Sequence, residues 1–143
     1  MYILQNVEFV ECFPGTGPET DRNGAAIAGD WVSLKNYAKV VILLKCGGLG
    51  ADIAIACRQA TTVAGAGPAK AIAGKTHTFT NGVDENTTAE IHITGDELDV
   101  NNGFDCIQVY AADPGGALTY LTGTYALYVA RYSGATMPTA TID

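Results

Sequence analysis

The chain has 143 residues and a formal net charge of −7 at pH 7, and 48% of its residues are hydrophobic while 16% are charged. This length predicts one domain with a core of its own and no need of disulfide bonds. The acidic balance argues against a nucleic-acid-binding protein, and no apolar run approaches the roughly 20 residues of a membrane-spanning helix.

Alternating hydrophobic positions predict strands separated by turns along the chain. The first strand is expected over residues 2–13. Residues 14–30, rich in Gly, Pro and charge, are expected to form an exposed loop or arm. A second strand is predicted from Trp31. The nearly continuous aliphatic run 39–46 then predicts a central strand that is covered on both faces.

Further strands are predicted in the middle of the chain. After the GGLGAD turn, Ile53, Ile55 and Cys57 alternate with smaller or polar residues and are expected on one buried face. Residues 60–74 contain several Gly and one Pro, which predicts a loop with a short strand rather than a helix.

Residues 89–112 contain the clearest strand pattern. Two alternating segments flank Asn102-Gly103, a dipeptide that favours a tight turn with φ above zero. The sequence therefore predicts a hairpin here. A last strand is expected within 118–130, with Tyr125, Leu127 and Val129 on one face.

These elements predict an all-β protein with a single antiparallel β-sandwich or barrel, jelly-roll-like, with extended N- and C-terminal arms. The predicted domain covers residues 1–143. Within it, 14–30 is the exposed loop and 131–143 is a C-terminal tail, because the tail shows no periodicity and cannot bury itself.

The four cysteines are expected to be buried reduced thiols. Cys12, Cys46, Cys57 and Cys106 lie in apolar strand patterns without CxxC spacing. Cys46 and Cys57 flank one turn, so whether they form a disulfide is left open. The chain starts without a secretory signal, which predicts synthesis and folding in a cytoplasm.

Two segments imitate ligand-binding loops but lack essential residues. Residues 69–76 end like a phosphate-binding loop, yet Ala69 replaces the first Gly and no helix is predicted to follow. Residues 99–105 are rich in oxygen ligands, but Gly103 is fifth and Tyr110 twelfth where a calcium loop needs Gly sixth and Glu twelfth. Neither nucleotide nor calcium binding is predicted.

The remaining candidate catalytic side chains are isolated. His77 and His92 are the two histidines, and each stands alone in a strand pattern, so structural or exposed roles are expected. Asp96, Glu97 and Asp99 are expected at a solvated strand end rather than as a catalytic pair. The sequence therefore predicts no enzyme, no cofactor and no metal site.

Charge is distributed unevenly along the chain. Residues 31–80 carry six basic side chains against Asp52, and residues 81–143 carry nine acidic side chains against Arg131. This polarity is compatible with head-to-tail contacts between copies. The alternative is that the charges only solvate loops.

Four segments carry a resemblance to a known family. They are MYILQNVEFVE at residues 1–11, GDWVSLKNY at 29–37, ELDVNNGFDCI at 97–107 and RYSGATMP at 131–138. Together these segments resemble small virion proteins that are encoded beside the major capsid gene of tailed bacteriophages. Residues 47–90 do not contribute to the resemblance.

The resemblance implies a capsid decoration (cement) protein. Such a protein binds the major capsid protein on the outer surface of the expanded head lattice, commonly as a homotrimer, and is part of the virion. Neither nucleic acid nor membrane is an expected partner. A neck, tail or baseplate component of the virion and a carbohydrate-binding adsorption module are the alternatives.

Four residues are candidate partner contacts, because Trp, Tyr and Arg are enriched among interface residues that contribute most to binding. They are Trp31, Tyr37, Arg131 and Tyr132. For Trp31 and Tyr37 the alternative is a place in the core or at its edge. Arg131 and Tyr132 follow the last apolar strand, which favours an accessible position.

Overall fold

A computed structural model describes residues 7–13, 21, 24–65, 67–115 and 118–130. Nine strands occur among them: β1 (Val7–Glu11), β2 (Ile27–Ala28), β3 (Val32–Ser33), β4 (Tyr37–Cys46), β5 (Ile53–Ala60), β6 (Lys70–Phe79), β7 (Thr88–Thr94), β8 (Cys106–Ala111) and β9 (Leu121–Ala130). Two short 3-10 helices, Gly95–Glu97 and Val100–Asn102, lie between β7 and β8. No helix of the described residues is long and apolar enough to cross a membrane.

The strands form two antiparallel sheets with jelly-roll topology. One sheet has the order β1-β9-β4-β7, and the other has the order β2-β8-β5-β6 with β3 also paired to β8. Counting β2 and β3 as one interrupted strand gives eight strands. The first pairs with the last (β1 with β9), the second with the seventh (β2 and β3 with β8), the third with the sixth (β4 with β7) and the fourth with the fifth (β5 with β6). This nested pairing is that of a jelly roll. The predicted all-β sandwich is confirmed.

The core lies between the two sheets. Alternate residues of each strand face inward, because successive side chains of a strand point to opposite faces. Fully buried aliphatic and aromatic side chains from both sheets include Val40, Ile42, Leu44, Ile53, Ile55, Phe79, Ile93, Ile107, Leu121 and Tyr125. Ile53, Ile55 and Cys57 share one buried face of β5, as predicted.

Strand β4 is central, as predicted, but it is covered on one face only. Val40, Ile42 and Leu44 are buried, whereas Leu43 is 39% exposed and Lys45 is exposed. The prediction of cover on both faces is therefore wrong. A two-layer sandwich provides cover on one side of each sheet, and no described element packs on the other side of β4.

The hairpin predicted for residues 89–112 is also wrong. Strand β7 pairs with β4 in one sheet and β8 pairs with β5 in the other, so the connection crosses from sheet to sheet. Gly103 has φ 78, as its turn role predicts, but it ends a 3-10 helix that contains Asn102. The side chain of Gln59 holds this crossing by accepting a hydrogen bond from the amide of Asp99 at 2.8 Å.

Part of the predicted 14–30 arm is held against the body of the sandwich. Strand β2 pairs with β8, and Gly29 is buried. The carboxylate of Asp21 accepts hydrogen bonds from the amides of Leu118 and Thr119 at 2.9 and 3.0 Å. Residues 1–6, 14–20, 22–23 and the predicted tail 131–143 lie outside the described residues.

A register shift separates β2 from β3. Ala28 pairs with Tyr110 and Val32 with Ile107, so one extra residue stands between the two pairings. In this gap the amide of Val109 donates to the Tyr125 hydroxyl at 2.8 Å, and that hydroxyl donates to the carbonyl of Asp30 at 3.0 Å. A side chain from the opposite sheet thus completes the interrupted ladder.

All four cysteines are buried free thiols, which confirms the prediction and excludes a bond between Cys46 and Cys57 in this structure. Burial raises the pKa of Cys57 to about 12. Burial, with the nearby carboxylate of Asp105, also raises the pKa of Cys106 to about 12. These thiols therefore pack as small apolar side chains.

Candidate interaction surface

The outward side of the β1-β9-β4-β7 sheet is the candidate interaction surface, and it is called the outer face below. Strand register and alternation place on it Val7, Phe9 and Glu11 of β1, Thr122, Thr124, Ala126 and Tyr128 of β9, Lys39, Val41, Leu43 and Lys45 of β4, and Thr88, Glu90, His92 and Thr94 of β7. No described element covers these residues.

An apolar row crosses the middle of the outer face. Phe9 stands opposite Ala126, which stands opposite Val41 on its other side. Leu43 follows one pleat further along β4. Phe9 is 57% exposed and Leu43 is 39% exposed, which is unusual for large apolar side chains on a regular sheet. Exposed apolar side chains that are grouped in this way are typical of a contact surface.

Charged side chains of both signs surround this row. Lys39 lies over the ring of Tyr128, with 5.5 Å from Nζ to the ring centroid. Lys45 and Glu11 form no ion pair with any described residue. Among the described residues, the one ionisable partner of the Glu90 carboxylate is His92, whose Nε2 lies 3.3 Å from it. The outer face therefore offers both a cation and an anion to a partner.

The basic side chains of the other sheet are engaged within the chain. The Arg58 guanidinium stacks on the Tyr110 ring at 3.6 Å. Lys70 pairs with Asp99 and lies over the ring of Phe104 at 4.4 Å. This contrast between the two sheets favours the outer face as the surface where charge remains available.

A shallow cleft of about 290 Å³ opens on the outer face between β4, β7 and β9. Its lining includes the aliphatic chain of Leu43, the charged groups of Lys45 and Glu90, and the hydroxyl-bearing Thr88 and Thr124. Hydroxyls, one cation and one anion beside an apolar wall suit a polypeptide segment, since a peptide presents donors, acceptors and side chains together.

The segment that precedes β1 and the segment that follows β9 are joined to the sandwich at one corner of this sheet. Val7, which begins β1, pairs with Tyr128, and Tyr37 pairs with Ala130 at the end of β9. Residues 1–6 and 131–143 therefore join the body side by side. At this corner the Tyr37 hydroxyl donates to the carboxylate of Glu8 at 2.7 Å, which ties β4 to β1 across β9.

The structure describes two of the four predicted contact residues, Tyr37 and Trp31. Tyr37 is 6% exposed and belongs to the core, where burial and the bond to Glu8 raise its pKa to about 12. Trp31 is half-buried and packs against Gly65, where an added Cβ would meet its Nε1 at 2.6 Å. Arg131 and Tyr132 lie outside the described residues. A partner contact by any of the four stays a prediction.

Sequence reasoning missed the residues of the apolar row. The alternation of Val7, Phe9 and Glu11 was visible, but it does not say which side of a strand meets the core. Only the register with β9 shows that Phe9 faces outward. The same holds for Leu43, which lies within a run that reads as fully buried.

The other candidate sites do not assemble. Lys75 and Thr76 lie inside β6, so no helix follows the phosphate-loop-like segment. The carboxylate of Asp99 accepts hydrogen bonds from Lys70 and Asn102, and these lower its pKa. His77 packs edge-on to Phe79, with 4.5 Å between ring centroids. Across the described parts of the chain, no group of three or more His, Cys, Asp or Glu side chains could hold a metal ion.

Comparison with known proteins gives similarity in structure alone. No protein-family model and no curated protein matches the sequence. The VP2 subviral particle of infectious bursal disease virus matches with a TM-score of 0.44 and 12% identity, over 87% of this chain and 32% of VP2, so the chain spans about one third of that protein.

Two structures of the tobacco streak virus coat protein also match. One has a TM-score of 0.40 and 14% identity, over 96% of this chain and 94% of the coat protein. The coat protein dimer has a TM-score of 0.42 and 12% identity, over 97% of this chain and 95% of the coat protein chain. These structural neighbours are viral capsid proteins. At such TM-scores and identities they assign neither a family nor a function to this chain.

Proposed function

We propose that this protein is a structural subunit of a bacteriophage particle, and that it decorates the outer surface of the expanded head by binding the major capsid protein. The sequence resemblance of both chain ends to small phage virion proteins supports this proposal. Jelly-roll domains occur in capsid proteins, but also in lectins and cupins, so the fold by itself is weak support.

The observation that carries the proposal is the corner where Val7 and Ala130 lie on neighbouring strands. Residues 1–6 and 131–143 attach at this corner, beside the outer face and its apolar row. Both segments can therefore engage the same neighbouring subunit. An extended residue spans about 3.3 Å, so the segment 131–143 would reach roughly 40 Å from Ala130 if it were fully extended.

Such binding would stabilise the lattice by linkage. A protein that binds the expanded lattice and not the unexpanded one shifts the equilibrium toward expansion by RT ln(1 + [L]/Kd). Each contact needs only modest affinity if the protein acts as a trimer, because several linked contacts reinforce one another. The trimer is part of the proposal.

The test uses heads of the encoding phage that were assembled without this protein. The full chain should co-sediment with expanded heads in proportion to the lattice sites and should not bind unexpanded heads. A variant truncated after Ala130 should fold, as judged by its circular dichroism, yet fail to bind. Undiminished binding of the folded truncated chain would contradict the role given to this corner.

Copy number in the intact virion separates decoration from a neck, tail or baseplate role. A decoration protein is present at a multiple of the head lattice sites, whereas a neck component forms at most a ring or two per particle. Quantitative mass spectrometry of purified virions measures this ratio to the major capsid protein. A ring-like copy number would overturn the decoration proposal in favour of the neck.

A further inference from the structure

Three of the four sheet edges carry features that prevent the addition of another strand. Strand β6 contains Gly74 with φ +72 and carries Lys70 and Lys75, and the pairing of β5 with β6 shifts register. The edge of β7 is covered where Lys75 Nζ donates to the carbonyl of His92 at 2.5 Å. Strands β2 and β3 have two residues each. Lysines, irregularities and short strands are the usual protection of sheet edges.

Strand β1 carries the carboxylates of Glu8 and Glu11, but it lacks the lysines, register shift and extreme shortness of the other edges. It has five residues, no Lys, no Pro and no residue with positive φ, and among the described strands it pairs with β9 alone. The amide of Cys12 donates to the carbonyl of Gly123 on β9 at 2.9 Å. Because an antiparallel ladder alternates, the main-chain groups of Val7, Phe9 and Glu11 then point away from β9. No hydrogen bond joins these donors and acceptors to another residue in the part of the chain that the structure describes.

We propose that β1 binds an extended strand of a protein partner, and that this strand presents apolar side chains to Val7 and Phe9 and a basic side chain to Glu11. Main-chain pairing would supply affinity and the alternate side chains would supply specificity. A basic strand is favoured because Glu11 is exposed and has no ion pair with a described residue. In the antiparallel register that pairs Phe9 with Phe9, a second copy of β1 would place Val7 opposite Glu11 and would supply no cation to that carboxylate.

This inference deepens the proposed function and depends on it only for the source of the strand, which would be the major capsid protein. The test therefore uses peptides and no particles. If heads bind but the peptide does not, the β1 site is wrong and the proposed function stands. If the peptide binds but heads do not, the β1 site stands and the proposed function is wrong.

The probe is a blocked peptide of alternating Thr and Val in which one Val is replaced by Lys, together with a matched peptide that has Glu in place of that Lys. Hydrogen exchange of the full chain is followed by NMR. When the concentration of free Lys peptide is about ten times its Kd, the amides of Val7, Phe9 and Glu11 should exchange about tenfold more slowly than in the free protein. The Glu peptide should bind more weakly.

Two substitutions and one control test the site. Phe9→Lys places a protective lysine on the edge and should abolish the slowing. Val83→Lys introduces a lysine at a turn position that is 73% exposed, and the Lys peptide should still slow the exchange of the β1 amides in this variant. Glu11→Lys should reverse the preference, so that the Glu peptide binds better. This reversal requires a folded protein and cannot arise from general destabilisation.

Four results would overturn the proposal. The first is equal binding of both peptides to the unaltered chain, and the second is the absence of any effect on β1 amides at millimolar peptide. The third is slow exchange of these amides in the dilute free protein, because another segment of the same chain would then cover the edge. The fourth is exchange that slows as the protein concentration rises, which would make a second copy the occupant.

Discussion

The hydroxyl of Tyr125, in the β1-β9-β4-β7 sheet, accepts a hydrogen bond from the amide of Val109, in the opposite sheet, at 2.8 Å. The same hydroxyl donates to the carbonyl of Asp30 at 3.0 Å. Tyr125 is fully buried, and burial raises its pKa above the ordinary value, so the hydroxyl keeps its proton. One side chain thus satisfies two main-chain groups that the shift between β2 and β3 leaves without strand partners.

Tyr125→Phe should lower the free energy of unfolding by about 1–3 kcal/mol, because it leaves a buried amide and a carbonyl with reduced hydrogen bonding. Equilibrium denaturation in urea measures the change. Tyr128→Phe is the matched control, since Tyr128 lies on the same strand but is half-exposed on the outer face. A loss of equal size in both variants would show that the Tyr125 hydroxyl has no special role.

Gly29→Ala should destabilise the protein by about 1–3 kcal/mol through overpacking. An added Cβ would lie 2.6 Å from the carbonyl oxygen of Cys12 and 3.1 Å from the Tyr125 hydroxyl. Gly48→Ala is the control, because its Cβ would make only ordinary contacts, the nearest at 3.6 Å. Thermal unfolding of both variants tests this, and equal midpoints would contradict the close packing at Gly29.

The four thiols should react with Ellman's reagent at pH 8 only after unfolding. Burial raises the pKa of Cys57 and Cys106 to about 12, so the reactive thiolate is scarce, and both side chains are inaccessible. We expect no fast-reacting thiol in the native protein and four in guanidinium chloride, which matches the cysteine count. Fewer than four in denaturant would reveal a disulfide and contradict the structure.

Stability should fall as the pH drops below about 4.5, in part because of Glu97. Its pKa is lowered from the ordinary 4.5, first by the hydrogen bond from Lys75 and next by that from the Thr94 amide. A lowered folded-state pKa stabilises the protein above the unfolded value, and this contribution is lost as the pH falls through the folded value. Glu97→Gln should cost about 0.2–1 kcal/mol at pH 7 and less at pH 3.

Urea denaturation at the two pH values measures this difference. Glu85→Gln, at an exposed turn position, is the control and should change little at either pH. A Glu97→Gln deficit that is the same at pH 7 and pH 3 would exclude the ion pair with Lys75, 2.7 Å apart, as its cause.

The sequence was sufficient to predict the class of the fold but not the pairing of its strands. Alternation at Ile53 and Ile55 identifies a one-sided strand, and the turn role of Gly103 was correct. The hairpin across Gly103 was wrong because a local turn signal does not specify which strand becomes the hydrogen-bonded neighbour. That choice depends on distant residues, such as the pairing of Val40 with Ile93.

The candidate surface was less predictable for a related reason. The run that contains Leu43 reads as buried on both faces, and its exposure follows from the two-layer architecture. Phe9 faces solvent only because β9 lies beside β1 in the observed register. The hydrogen bonds of Tyr125 were not foreseeable, because a buried tyrosine in a strand gives no sign of its partners.

The position of β9 has a consequence for how the chain acquires its structure. This strand, the last in chain order among those described, lies between β1 and β4, and it pairs Val7 with Tyr128. Although β4 and β7 can pair earlier, the sheet therefore cannot be completed during synthesis until β9 has left the ribosome. Pairings between such distant residues close slowly, so folding on a millisecond-to-second timescale is expected. Until then β1 lacks its strand partner, and the apolar surface that remains exposed makes the nascent chain prone to aggregation.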